Sequence, residues 1–250
     1  MFIYLIRLEV LRINKVSIII PFYNCSYVDQ AIQSALNQSY PNIEVIVVSD
    51  GSTKFIEKIT PFLGSVRFIE KENGGTASAL NLGIQNATGD YFSWLSSDDL
   101  YYEGKISKQL NFMKKTNGFF SYTNYSLIDN NSQIIHKEAG VFFKKKIEFL
   151  QNFIIGNNIN GCTVMMKKEL FSTLGLFNEK LKFTQDYDFW LRAIQHYEFL
   201  YLDEPLVKYR VHDDMGTKNN TEEINNEIKS LNQKYEQSLI KLINLERKKL

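Results

Sequence analysis

Cysteine is nearly absent: Cys25 and Cys162 are the only two in 250 residues. They stand far apart and in no metal-ligand spacing. That excludes a disulfide framework and a zinc module, and fits reduced, buried thiols in a cytosolic protein. Charge of one sign is lacking too, since 29 Lys and Arg face 28 Asp and Glu and leave a formal net charge of +1. A general nucleic-acid binder would show a strongly basic face or domain, so nucleic acid is not expected among the partners. No window reaches the roughly 18 apolar residues that span a bilayer. Met1 to Val10 is a short apolar run broken by Arg7 and Glu9. It lacks the basic n-region and small-residue cleavage site of a signal peptide. The expectation is a chain neither exported by this route nor integral to a membrane, with attachment to a membrane surface left open. There are no internal repeats.

What remains is an ordinary globular composition, 44% hydrophobic and 23% charged, ample for a full core. Val16 to Pro21 is a β-branched run of the kind that forms a buried parallel strand. Apolar positions at helical spacing follow over Tyr27 to Asn37. Ile43 to Val48 predicts a second strand closed by the turn formers Ser49-Asp50-Gly51-Ser52. A short helix over Phe55 to Leu63, a strand over Val66 to Glu70, a turn at Asn73-Gly74-Gly75, a helix over Thr76 to Asn86 and a strand over Tyr91 to Leu95 complete the first half. This alternation means right-handed βαβ units and an open parallel sheet. Ligands in such sheets bind beyond the carboxyl ends of the strands. Pro21-Phe22-Tyr23-Asn24, Ser49-Asp50-Gly51 and Ser97-Asp98-Asp99 all fall there.

The second half reads differently. Gly118 to Ile135 predicts antiparallel strands turning at Asp129-Asn130-Asn131, and Ile147 to Phe153 a short helix. A strand over Gly161 to Lys167 and a helix over Gln185 to His196 follow. Two late strands, Phe199 to Leu202 and Leu206 to His212, flank Pro205. A polar linker over Asp213 to Asn220 precedes a charged helix from Glu222 onward. The whole is one continuous fold.

The run Tyr91-Phe92-Ser93-Trp94-Leu95-Ser96-Ser97-Asp98-Asp99 carries the chemistry. An apolar, aromatic strand delivers two adjacent carboxylates, which repel unless a cation lies beside them. A hard divalent metal and a phosphate-rich substrate suit that arrangement. The competing reading is an acidic cap on a helix over Leu100 to Asn117.

Seven blocks in order, from Val16 to His212, resemble the family 2 glycosyltransferases. They are Val16-Ser17-Ile18-Ile19-Ile20-Pro21-Phe22-Tyr23-Asn24, Val47-Val48-Ser49-Asp50-Gly51-Ser52, Asn73-Gly74-Gly75 with Leu80-Asn81, and Ser97-Asp98-Asp99. Gly175-Leu176-Phe177-Asn178-Glu179, Gln185-Asp186-Tyr187-Asp188-Phe189-Trp190-Leu191-Arg192 and Tyr209-Arg210-Val211-His212 complete the series. The resemblance implies an α/β GT-A fold: a Rossmann-like open, mostly parallel sheet flanked by helices, with a mixed acceptor-side half and a C-terminal helix. It divides the chain into an extension over 1–15, a GT-A domain over 16–212 with a nucleotide-binding half at 16–99 and an acceptor half at 100–212, and a linker with an amphipathic helix over 213–250.

The implied activity is inverting, metal-dependent transfer of one sugar from a nucleoside diphosphate sugar, most simply a UDP-sugar, to a growing glycan or lipid-linked acceptor. By the resemblance, Pro21, Tyr23 and Asn24 line the base pocket, Asp50 accepts from base and ribose, and Asn81 joins the nucleotide-sugar site. The rival for Asp50 is a plain turn-forming aspartate. The first aspartate of the commoner D-x-D region is Ser96 here. Asp98 and Asp99 then share ribose contact and metal binding, with Asp99 the direct ligand of Mn2+ or Mg2+. His212 would supply a further metal or diphosphate contact, or be structural. Arg210 would pair with a phosphate or bridge a structural carboxylate.

Asp186 would be the base that takes the acceptor hydroxyl's proton. Its rivals are Asp188 and a simple dipole-favourable helix acid. Gln185 stands where the family has glutamate, which removes a neighbouring charge and should leave the base's pKa less raised. Phe189 and Trp190 read as core, and Gly161-Cys162 as the acceptor-side loop. No Gln-x-x-Arg-Trp motif or membrane span of a processive synthase is present, so one sugar per visit is expected. The C-terminal stripe Ile228, Leu231, Tyr235, Leu239, Leu242 and Leu245, ending in Arg247-Lys248-Lys249, suits packing on its own domain, a homodimer, or peripheral contact with the inner face of the plasma membrane. Two alternatives stand beside the transferase. A sugar nucleotidyltransferase would need a glycine- and basic-rich loop after the first strand, which Phe22-Tyr23-Asn24-Cys25 is not. A nucleotide-sugar-binding protein without catalysis has Gln185 and Ser96 in its favour.

Overall fold

The computed structural model describes residues 13–213 and 220–249. Most of the extension over 1–15 and most of the polar linker expected from Asp213 lie outside the described residues. β1 (Val16–Phe22) sits between β2 (Ile43–Asp50) and β4 (Tyr91–Trp94), parallel to both. Being covered on two faces, it is apolar almost throughout rather than alternating. The pleat sends Ile19 to one face with Ile46 and Val48, and Ile18 and Ile20 to the other with Val45 and Val47. On the second face pack α1 (Val28–Leu36) and α3 (Lys105–Thr116). On the first lie α2 (Thr76–Asn86), α4 (Lys146–Phe153), α5 (Glu169–Leu174), α6 (Gln185–Ala193) and α7 (Thr221–Arg247).

With β3 (Arg67–Lys71), β5 (Leu100–Tyr101), β6 (Phe120–Ile128), β7 (Ile134–His136), β8 (Met165–Lys167) and β9 (Phe199–Arg210), the described strands form one sheet in the order β3-β2-β1-β4-β8-β6-β9-β5, β7 pairing with β6. The chain winds outward from β1 through β2 to β3, then returns to lay β4 on the other side of β1. That reversal opens a crevice at the carboxyl ends of β1 and β4.

Several elements depart from the sequence expectation. The helix expected over Phe55 to Leu63 is two 3-10 turns, Ile56–Lys58 and Thr60–Phe62. Pro61 removes a donor from a segment already too short to hold a helix alone. Gly161–Thr163 is a 3-10 turn, so β8 is shorter than the strand expected there. The two strands expected around Pro205 are one, β9, which runs parallel to β6 with register shifts at Asn124, the residue facing Pro205. Proline, with no N–H to give the ladder, is tolerated at such an irregularity. The helix cap proposed for Asp98 or Asp99 is overturned. β5 intervenes, α3 begins at Lys105, and Gly104 occupies its N-cap.

The stripe on α7 is consumed by its own domain. Leu231, Tyr235, Leu239 and Ile243 are buried in the core cluster that holds Phe149 and Phe153 of α4, with Ile228 and Leu242 packed at its edge. Leu245 is exposed. No described helix is long and apolar enough to cross a membrane.

Candidate active site

The crevice is a cavity of about 1020 Å3. Pro21, Tyr23, Asn24, Asp50, Asp98, Asp186 and His212 line it together. Asn81 and Asp99 do not. The Asn81 amide is buried in α2, where Nδ2 donates to Phe177 O (2.9 Å) and Glu179 Oε1 (2.7 Å) and Oδ1 accepts from Phe177 N (3.0 Å). It holds the 177–179 segment in place rather than facing a ligand.

The two adjacent aspartates divide their work differently from the expectation. Asp99 is 1% exposed; Oδ1 accepts from Arg210 N (2.8 Å) and Oδ2 from the Cys162 thiol (3.1 Å). Burial, and then the Asp98 charge beside it, push its carboxyl well above the usual range. Asp98 turns the other way, into the cavity, with Oδ2 3.1 Å from His212 Nε2. Of the two, it is Asp98, not the Asp99 expected as direct ligand, that presents its carboxylate to the cavity.

Among the described residues, the Arg210 guanidinium bonds carbonyl, hydroxyl and amide oxygens rather than a carboxylate. Fully buried, it donates from Nε to Asp98 O (2.7 Å), from one terminal nitrogen to Asp129 O (2.9 Å) and Ser132 Oγ (3.0 Å), and from the other to Gln30 Oε1 (2.9 Å). Its guanidinium lies 4.1 Å from the Tyr27 ring centroid. It ties the turn after β6 to the loop that carries Asp98.

The β1 and β2 loops are fixed by their own polar groups. Asn24, in the left-handed region at φ 48°, accepts at Oδ1 from Thr53 N (2.8 Å) and Lys54 N (2.9 Å). Asn is among the few residues that adopt this conformation readily. The Asp50 carboxylate accepts from Lys71 Nζ (2.7 Å), Gly74 N (2.9 Å) and Gly75 N (2.7 Å). Asp50 therefore stands at the cavity wall and shapes the Asn73-Gly74-Gly75 turn, where Gly75 takes φ 86°. Tyr23 stands exposed at the rim.

Asp186, in the first turn of α6, lines the same cavity. Oδ2 accepts from Asn157 Nδ2 (2.9 Å) and Oδ1 from Tyr187 N (2.7 Å). Burial nonetheless pushes its carboxyl up to about 6. Desolvation, not a neighbouring charge, sets this value. Asp188 faces elsewhere, holding Arg192 Nε (3.0 Å) and the Tyr235 hydroxyl (3.0 Å). Phe189 and Trp190 are core, as expected.

Residues that the motif reading passed over also line the cavity, among them Trp94, Asn157, Lys182 and Phe183. The polar run Asn157-Asn158-Ile159-Asn160 was the available signal. Trp94 Nε1 and Gln185 Oε1 are buried with no partner among the described residues. Cys25 and Cys162 both border the cavity, their thiols pushed up by burial and so kept protonated.

Asp98 and His212 fit a hard divalent cation. Mg2+ and Mn2+ sites combine one or two protein ligands with substrate phosphate oxygens, and the cavity leaves that side open. Among the described residues there is no group of three or more His, Cys, Asp or Glu that would enclose a cation on its own.

Residues 17–174 match the profile of Glycosyl transferase family 2. The chain belongs to this family. Its match to an uncharacterised glycosyltransferase of Rickettsia typhi is 44% identical over 208 residues, 81% of this chain and 65% of the relative. A Rickettsia felis relative is 40% identical over 84% of this chain but 37% of its own length. The chain thus spans between about a third and two thirds of these relatives. A putative teichuronic acid biosynthesis glycosyltransferase, TuaG of Bacillus subtilis, is 33% identical over 78% of this chain and 79% of its own. Staphylococcus aureus TarS, solved in complex with UDP-GlcNAc, superimposes with a TM-score of 0.67 and 19% identity over 82% of this chain and 61% of that one. The fold is shared with GT-A glycosyltransferases.

Proposed function

We propose that the chain transfers a single sugar from a nucleoside diphosphate sugar, preferably a UDP-sugar, to a hydroxyl of a growing surface glycan or lipid-linked acceptor, with inversion. The observation that carries this reading is that Asp98, 3.1 Å from His212, and Asp186, its carboxyl near 6, line one cavity. Support for the donor comes from TarS, which shares the fold and was solved with UDP-GlcNAc. TuaG, named for teichuronic acid biosynthesis, supports a polysaccharide acceptor.

Asp98 and His212 are the residues that would hold the divalent cation. When bound, the cation is a Lewis acid that stabilises the charge developing on the departing nucleoside diphosphate. The loops ending in Asn24 and Asp50, braced by Ser52 and Lys71, fix the nucleotide's position along the sheet edge. Asp186 takes the acceptor hydroxyl's proton as that oxygen forms its bond to the anomeric carbon and the bond to the diphosphate oxygen breaks. A carboxyl near 6 suits this, being ionised at neutral pH yet more basic than an exposed aspartate.

Nucleotide release from UDP-, GDP-, dTDP- and CMP-sugars in the presence of manganese tests the reading. Wild type should release nucleotide from one of them, with Asp98→Asn and Asp186→Asn each at least about a hundredfold slower. Equal rates in either variant would sink it, and the anomeric configuration of the product reports inversion.

A further inference from the structure

α6 places Asp186 in its first turn, yet the helix does not cap itself. Thr184 stands at the N-cap, but its hydroxyl makes no capping bond to its own helix. The segment before Asp186 is held instead by a carboxylate from α7. Glu227 Oε1 accepts from Lys182 N (2.9 Å); Oε2 accepts from Phe183 N (3.2 Å), Thr184 N (3.0 Å) and Thr184 Oγ1 (2.8 Å). Four donors thus converge on one carboxylate, three of them backbone amides of the segment that leads into α6.

The same helix grips α6 on the far side of Asp186. The Tyr187 hydroxyl donates to Asn232 Oδ1 (2.9 Å), and the Tyr235 hydroxyl to Asp188 Oδ1 (3.0 Å). Asp186 lines the cavity, accepting from Asn157 Nδ2 and Tyr187 N. Lys182, Phe183 and Gln185 line the cavity with it. The matched family profile ends at residue 174, so both α6 and α7 lie beyond it.

We propose that Glu227 is a positioning residue for Asp186, its carboxylate locking the 182–184 turn and so setting where the base stands in the cavity it shares with Asp98 and His212. The inference rests on the transfer reading above. It asks more of α7 than packing, because the apolar side chains alone would leave the turn free to rotate. Misplacing a base by about 1 Å can cost about a hundredfold in rate, whereas substrate binding survives it.

Glu227→Ala and Glu227→Gln in the full chain test the idea, with donor turnover, melting temperature and crystal structures measured for each. Glu227→Ala should lower kcat at least about tenfold while KM for the donor changes less than about threefold, since the groups expected to bind nucleotide lie on other loops. Glu227→Gln, which keeps one oxygen acceptor, should recover much of the loss. Unchanged kcat, or a loss that follows only the folded fraction, overturns the proposal. If wild type turns over no nucleotide sugar, the transfer reading fails separately. The crystal structures then decide positioning alone: an Asp186 carboxylate displaced by about 1 Å supports it, and one left in place refutes it. Should Glu227→Ala fail to fold, Glu227→Leu, which keeps the bulk and removes both acceptors, carries the same readouts, with wild-type kcat and an unmoved Asp186 counting against the proposal.

Discussion

The Asn157 side-chain amide donates to Asp186 Oδ2 at 2.9 Å, from 29 residues earlier in the chain. This bond favours the ionised carboxylate and opposes the burial that pushes Asp186 up to about 6. Removing it should push the value higher still. Because the base must be deprotonated to accept a proton, the acid limb of the kcat profile should fall with a midpoint near 6 in wild type and move to higher pH in Asn157→Ala. A profile whose acid limb does not move would show that Asn157 does not tune the base.

The same displacement has a cost in stability. A carboxyl raised from its ordinary 3.8 to about 6 in the fold binds its proton more tightly there than in the unfolded chain. The contribution of this group to stability is therefore greatest below about pH 4 and is lost as pH rises through 6. At about 1.4 kcal/mol per tenfold change, the ionised group costs at most about 3 kcal/mol at neutral pH. Asp186→Asn should accordingly be inactive yet melt higher than wild type at pH 7, the gain vanishing toward pH 4. A lower melting temperature at pH 7 would argue against a desolvated carboxylate.

Asp98 and His212 make the metal prediction specific. With Asp98 Oδ2 and His212 Nε2 3.1 Å apart on the cavity wall, each variant should lose manganese-dependent binding of UDP. Asp98→Asn and His212→Ala should each weaken it at least about tenfold, as loss of one ligand from a two-ligand site implies. Asp99→Asn should instead lower the melting temperature, since its oxygens serve Arg210 and Cys162. Calorimetric titration with and without manganese separates the three.

How much of this was legible beforehand depends on the range of the interactions. The apolar runs of β1, β2 and β4 and their βαβ spacing expose the nucleotide-type half, because burial on both faces writes itself into local sequence. The order of Asp98 and Asp99 was not legible. Which carboxylate is buried depends on β9 returning Arg210 N to Asp99, across 111 residues. Likewise Asp186 is a motif residue, but its raised pKa comes from walls supplied by other segments. The amphipathic stripe of α7 was visible at once, though not what it faced. Periodicity reports that a helix has an apolar side and leaves its partner open. The polar residues flanking that stripe, Glu227 and Asn232, carried no signal of their hold on α6.

Lys105 is a buried lysine apart from the cavity. Its ammonium reaches Ser93 Oγ and Val164 O (3.3 Å), lies 4.4 Å from the Tyr101 ring centroid, and finds no carboxylate among the described residues. Burial pushes it down to about 7 from an ordinary 10.5. The unfolded chain then binds the proton more tightly than the fold does, so stability should rise with pH between about 7 and 10. A well-packed apolar replacement of similar length removes the ionisation problem at little loss of volume. Lys105→Met should therefore raise the melting temperature at pH 7, with the advantage shrinking toward pH 10. Donor binding should be unchanged. A variant less stable than wild type at pH 7 would show instead that the contacts to Ser93 and Val164 outweigh the desolvation of the charge.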